Sequence, residues 1–117
     1  MSGFKYEKNK DKIVTITMDM QGPVNAVNDE FASSISETMD RLEKEKDDIA
    51  GVIITSAKKT FLAGGDLNHL LTYEKGDESK FFDHIQELKS YFRRLELLGK
   101  PVVAAINGAA LGGGCEL

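Results

Sequence analysis

The chain has 117 residues, the length of one ordinary domain, and 41% of them are hydrophobic, enough to build a core rather than a disordered tail. Its net charge of −4 and lack of a long basic run argue against nucleic acid and anionic membrane as partners. The single cysteine, Cys115, excludes an intramolecular disulfide and is compatible with a reducing compartment; no apolar stretch approaches a membrane span and Met1–Tyr6 lacks a signal-peptide core, so a cytoplasmic protein is expected.

In chain order, Phe4 to Glu7 alternates as an edge strand would. Asn9-Lys10-Asp11 is a turn cluster, and Ile13 to Asp19 is a second strand pairing with the first as a hairpin. Val14, Ile16 and Met18 share one face of it; Ile13, Thr15 and Thr17 share the other. Met20 to Asn25 is a loop punctuated by Gly22-Pro23. Asn28 suits the N-cap of a helix reaching about Lys46, with Phe31, Ile35, Met39 and Leu42 on its apolar face. Ile49 to Ser56 holds a short β-branched run, read as a buried parallel strand.

After a polar turn at Ala57 to Thr60 comes Phe61-Leu62-Ala63-Gly64-Gly65-Asp66-Leu67, in which Asp66 is placed to cap a short helix through Leu71. Tyr73 to Ser79 is polar loop. A longer helix is expected over about Lys80 to Leu98, with Phe81, Ile85, Leu88, Phe92 and Leu95 as its core stripe and with Gly99 and Pro101 to stop it. Val102 to Ile106 reads as another buried strand. It leads into Asn107-Gly108-Ala109-Ala110-Leu111-Gly112-Gly113-Gly114-Cys115-Glu116-Leu117, a turn signal followed by three bare glycines and a carboxylate. The element order indicates α/β with right-handed crossovers. The chain stops where that last helix should be getting under way, which suggests a piece of a longer domain.

Two glycine-bearing loops thus follow two strands. If those strands are parallel, both loops leave one sheet edge, and each can offer backbone N–H groups to one point between them. Two donors aimed at one carbonyl oxygen make an oxyanion hole, and Glu116 beside them suits a reaction that also moves a proton. A plain tight strand-to-helix turn, with Glu116 as a dipole-friendly first-turn residue, accounts for the second stretch equally well.

Other site types fit worse. A Walker A loop needs Gly-Lys-Ser/Thr, which is absent, and a dinucleotide fingerprint from Gly112 would need glycine at Leu117. His69 and His84 have no Cys or carboxylate at a ligand spacing, so no metal is expected. Cys115 has no histidine placed by the sequence to activate it and reads better as a buried small residue.

The two glycine stretches together resemble the enoyl-CoA hydratase/isomerase (crotonase) superfamily, and the intervening chain matches in order and length. Met18-Asp19-Met20-Gln21-Gly22 followed by Val24-Asn25 further resembles the multifunctional fatty-acid oxidation proteins, in which a hydratase module precedes a 3-hydroxyacyl-CoA dehydrogenase. The resemblance implies a crotonase-like spiral of ββα units, with residues 1–117 as the N-terminal part of a single domain. It implies an acyl-CoA thioester substrate and an oligomeric parent. The hydration step needs no cofactor, and NAD enters only if a dehydrogenase domain follows. By motif position, the N–H groups of Gly65 and Gly113 would form the oxyanion hole, and Glu116 matches the first of the two catalytic glutamates of the hydratases. Relatives often carry alanine at the position of Gly65. Ala63, Gly64, Gly65, Asp66 and Leu67, with Val24 opposite and with Gly113, would line the acyl-CoA path. The implied reaction is hydration of 2-enoyl-CoA in fatty-acid β-oxidation. The alternatives are an isomerase or hydrolase of the same fold, or a non-catalytic CoA-binding or assembly module.

Overall fold

The structure is a computed structural model that describes residues 3–65, 71–112, 114 and 117. Its frame is a four-stranded sheet in the order β1-β2-β3-β4. Strand β1 (Phe4–Lys8) and β2 (Ile13–Met18) form the expected antiparallel hairpin, with Phe4 opposite Met18 and Lys8 opposite Val14. The Asn9 side-chain oxygen accepts from the N–H groups of Asp11 and Ile13, and Lys12 turns the chain at φ 64°. Strand β3 (Gly51–Ser56) pairs parallel with β2, and β4 (Val102–Ala104) pairs parallel with β3.

Helix α1 (Asp29–Lys44) starts at the predicted cap: the Asn28 side chain accepts from the Phe31 N–H at 3.0 Å. All four residues of its predicted face, Phe31, Ile35, Met39 and Leu42, are buried. A short 3-10 turn at Lys46–Asp48 takes the place of the last predicted helical residues. Helix α2 (Glu78–Glu96) begins two residues earlier than expected, and Gly99 just beyond it takes φ 80°. Phe31 is the hinge of the packing, with its ring edge-on to both Phe4 of β1 and Phe92 of α2. Arg94 of α2 also reaches Asp40 and Glu43 of α1, at 2.7 and 2.8 Å. The core lies between these helices and one face of the sheet, formed by Val14, Ile16, Met18, Val52 and Ile54.

Three expectations need correction. β3 is parallel as predicted but buried on one face only, with Ile53 half-buried. Among the described residues β4 lies at the edge of the sheet, and Val103 and Ile106 are 58% and 59% exposed. The β-branched composition that marks a sheet strand does not say whether one or both faces are covered. The stripe of α2 is buried only in its second half: Leu88 and Leu95 are in the core, Ile85 and Phe92 are half-buried and Phe81 stands exposed, while Tyr91, off the expected stripe, is buried. The predicted Asp66-capped helix lies outside the described residues.

Candidate active site

Because β2, β3 and β4 are parallel, their last residues Met18, Ser56 and Ala104 lie at one edge of the sheet. The three loops that leave this edge are stitched together by backbone hydrogen bonds. The Ala63 N–H donates to Asn25 O at 2.9 Å, and the Val27 N–H donates to Gly64 O at 2.7 Å. The N–H groups of Phe61 and Leu62 both donate to Ala109 O, and the Leu111 N–H returns to Leu62 O at 3.1 Å. Bridges between Val27 and Gly65 and between Leu62 and Ala110 make this a small parallel extension of the sheet. Phe61 and Leu62, fully buried, anchor the middle loop in the core. The two glycine-bearing loops are therefore neighbours, as the parallel strands predict.

Glycine is required where these backbones cross. Gly64 has φ 87°, and a Cβ there would sit 2.7 Å from Leu111 O. At Gly108 a Cβ would overlap Lys59 O, and at Gly114 it would overlap Leu62 O. Gly65 is different: it is exposed, and among the described residues nothing accepts its N–H. No described peptide is cis, so the Gly64 C=O and the Gly65 N–H point in opposite directions from one rigid plane. With the carbonyl turned to Val27, the N–H is directed away from it. Such a free backbone donor, on a loop held from both sides, can receive developing negative charge without reorganising.

Beneath the loops lies a buried polar network that the sequence reading did not single out. Asn25 is 0% exposed. Its side-chain oxygen accepts from the Met20 N–H at 3.0 Å, and its amide nitrogen donates to Met18 O, Ser56 Oγ and Phe61 O. Ser56 Oγ in turn donates to Thr60 O and accepts from the Lys58 N–H. Asn107 donates its side-chain amide to Ser56 O at 2.8 Å and, on the opposite, exposed face of β3, Thr55 Oγ1 donates to Ala105 O at 3.0 Å, bringing in the third loop. One signal was available in the sequence: Ser56 is in phase with Val52 and Ile54 on the buried face, and a buried hydroxyl must find partners.

At the rim, Asp19 bridges Lys58 and Lys5, at 3.0 and 3.3 Å, and hydrogen bonding from Lys58 holds its carboxyl below the usual range. Of the predicted site residues, Val24 is 39% exposed beside Asn25, Ala63 is half-buried, Gly64 is buried and Gly65 faces solvent. Asp66, Leu67, Gly113 and Glu116 lie outside the described residues, as do His69 and Cys115. Among the described residues, no group of three or more His, Cys, Asp or Glu side chains is placed to hold a metal ion, and no helix is long and apolar enough to cross a membrane.

The mixed α/β fold that positions these loops is the crotonase fold of solved enoyl-CoA hydratases. The chain belongs to the enoyl-CoA hydratase/isomerase family, whose model matches residues 8–117. It is 44% identical over 94 residues to the fatty acid oxidation complex subunit alpha of Psychrobacter cryohalolentis, covering 80% of this chain and 13% of that protein. It is 32% identical to the short-chain-enoyl-CoA hydratase of Clostridium acetobutylicum, covering 94% of this chain and 41% of the relative. The crystal structure of an enoyl-CoA hydratase from Bacillus anthracis superposes with a TM-score of 0.85 at 25% identity, over 98% of this chain and 43% of that one. The chain thus spans less than half the length of these relatives.

Proposed function

We propose that the complete protein hydrates 2-enoyl-CoA thioesters to 3-hydroxyacyl-CoA in fatty-acid β-oxidation, and that residues 1–117 supply the N-terminal part of its single crotonase-like domain. The observation that carries this reading is the exposed Gly65 N–H, unpaired among the described residues, on a loop locked to the strand-to-glycine loop after β4. In this reading the thioester carbonyl accepts from Gly65 and from Gly113. As water adds at C3, charge moves onto the carbonyl oxygen to give an enolate, which is stabilised more strongly than the ground state. Each such donor contributes about 3–4 kcal/mol to lowering the barrier. Glu116 holds the water and takes its proton, and a second carboxylate, assigned to the part of the relatives' domain that this chain does not span, protonates C2. Val24, Ala63, Asp66 and Leu67 line the CoA moiety.

The fatty-acid oxidation relatives and the short-chain-enoyl-CoA hydratase support this reaction, while the hydratase/isomerase family as a whole is common to hydration and isomerisation. Its test is Glu116→Gln in the complete protein. Loss of a general acid/base group is expected to lower kcat for crotonyl-CoA by about a hundredfold or more while KM changes little. An unchanged kcat would remove Glu116 from the chemistry. The 117 residues alone, assayed with the same thioester, are expected to give no turnover above buffer.

A further inference from the structure

We infer that Asn25 is the positioning residue that aims the Gly65 N–H, an inference that rests on the reading of that N–H as an oxyanion donor.

The direction of the Gly65 N–H is set by what holds the other end of its own peptide. That end, Gly64 O, accepts from the Val27 N–H at 2.7 Å. The grip is only as firm as the placement of the 25–28 segment against the 61–65 segment. Asn25 makes that placement from both of its amides. Its main-chain oxygen accepts from Ala63, and its side-chain nitrogen donates to Phe61 O at 3.3 Å. The same nitrogen donates to Met18 O at 3.1 Å and Ser56 Oγ at 2.8 Å, at the ends of the two central strands. One buried side chain therefore ties the loop bearing the donor to the rigid edge of the sheet.

An amide is the one small side chain that meets these demands. Met20 offers only an N–H, whereas Met18 and Phe61 offer only carbonyl oxygens, so the residue must accept on one side and donate on the other. The partners also fix which atom of the amide is oxygen, since the flipped form would set oxygen against two carbonyls. A carboxylate of the same shape keeps the bond from Met20 and loses all three donations. It also turns its charge toward two carbonyl oxygens in a site with no water access, which disrupts the loop while leaving the core volume intact.

The test is Asn25→Asp in the complete protein, with Ser56→Ala as a milder second variant and Leu42→Ala as a control that weakens the core away from the loops. Three quantities are measured on each: kcat and KM with crotonyl-CoA, the thermal midpoint, and backbone hydrogen exchange of residues 61–65 against residues 4–18. Misplacing a donor by a fraction of an ångström is expected to lower kcat of Asn25→Asp by at least about tenfold, with KM within about threefold. Exchange at 61–65 should speed by at least about tenfold with the hairpin unchanged. Ser56→Ala, which removes one acceptor, should shift both readouts in the same direction by less. Leu42→Ala should lower the midpoint and keep kcat within about twofold. The inference is overturned if Asn25→Asp retains kcat with unaltered exchange at 61–65, or if exchange rises equally in the hairpin, which is the signature of general destabilisation. If the wild-type protein turns over no enoyl-CoA, the proposed reaction fails, and the exchange data alone still decide whether Asn25 holds the loop. Should Asn25→Asp not fold, Ser56→Ala carries the same decision.

Discussion

Gly114 lies so close to the carbonyl oxygen of Leu62 that no Cβ fits between them. The contact is between backbones of two different loops, so neither partner can move aside as a flexible side chain would. Gly108 stands in the same relation to Lys59. Gly114→Ala and Gly108→Ala are each expected to destabilise by about 1–3 kcal/mol, the usual cost of overpacking a close contact. Both should lower activity more than the melting temperature alone explains, because they push apart the loops that carry the two proposed donors. Circular-dichroism melts and kcat/KM measured on both variants check this.

Neighbouring glycines in the middle loop are expected to respond oppositely. Gly64→Ala forces a side chain into φ 87° and places its Cβ 2.7 Å from Leu111 O. That should cost about 1–3 kcal/mol and most of the activity. Gly65→Ala keeps the backbone N–H and adds a methyl at an exposed position, so kcat should fall no more than about threefold. Gly113→Val, by contrast, should abolish turnover in a folded protein if Gly113 is the second donor proposed above. If Gly65→Ala is as damaging as Gly113→Val, the hole is not built from these two N–H groups.

Stability should decline in acid through a defined set of surface carboxylates. Hydrogen bonding lowers Glu43 (from Arg94), Glu45 (from Tyr6) and Asp48 (from Lys8), each below its ordinary carboxylate value. A carboxyl that titrates lower in the folded chain favours folding when ionised. Its contribution is complete above the unfolded value, about 4 for these groups, and is lost as pH falls through the lowered folded values. The melting temperature should hold between about pH 7 and 5 and fall below about pH 4, less steeply in Glu43→Gln. The Arg94–Glu43 and Lys8–Asp48 pairs are exposed, so added salt should shrink their share of the effect.

The periodic segments were legible in the sequence because one rule decided each of them. The four-residue face of α1 and its Asn28 cap follow from helical spacing and side-chain capping, and both are present. The alternation of Val14, Ile16 and Met18 fixed the buried face of β2. What escaped was set by tertiary context. Phe81 fits the stripe of α2 and Val103 fits a buried strand, yet among the described residues nothing covers Phe81 fully and Val103 lies at an edge. At the site, the glycine stretches and their shared sheet edge could be foreseen from strand order. The role of Asn25 could not, since it depends on three carbonyl and hydroxyl partners up to 36 positions away in sequence.

Polarisation of a thioester carbonyl by two backbone donors would be visible in the infrared stretch of that carbonyl. The measurement uses a 2-enoyl-CoA labelled with carbon-13 at C1, bound to the complete protein carrying Glu116→Gln to slow turnover. Hydrogen bonds from Gly65 and Gly113 should shift the stretch to lower frequency than in water. The shift should persist in Gly65→Ala, which retains its N–H. A bound thioester that absorbs at its solution frequency would mean that Gly65 and Gly113 do not form an oxyanion hole.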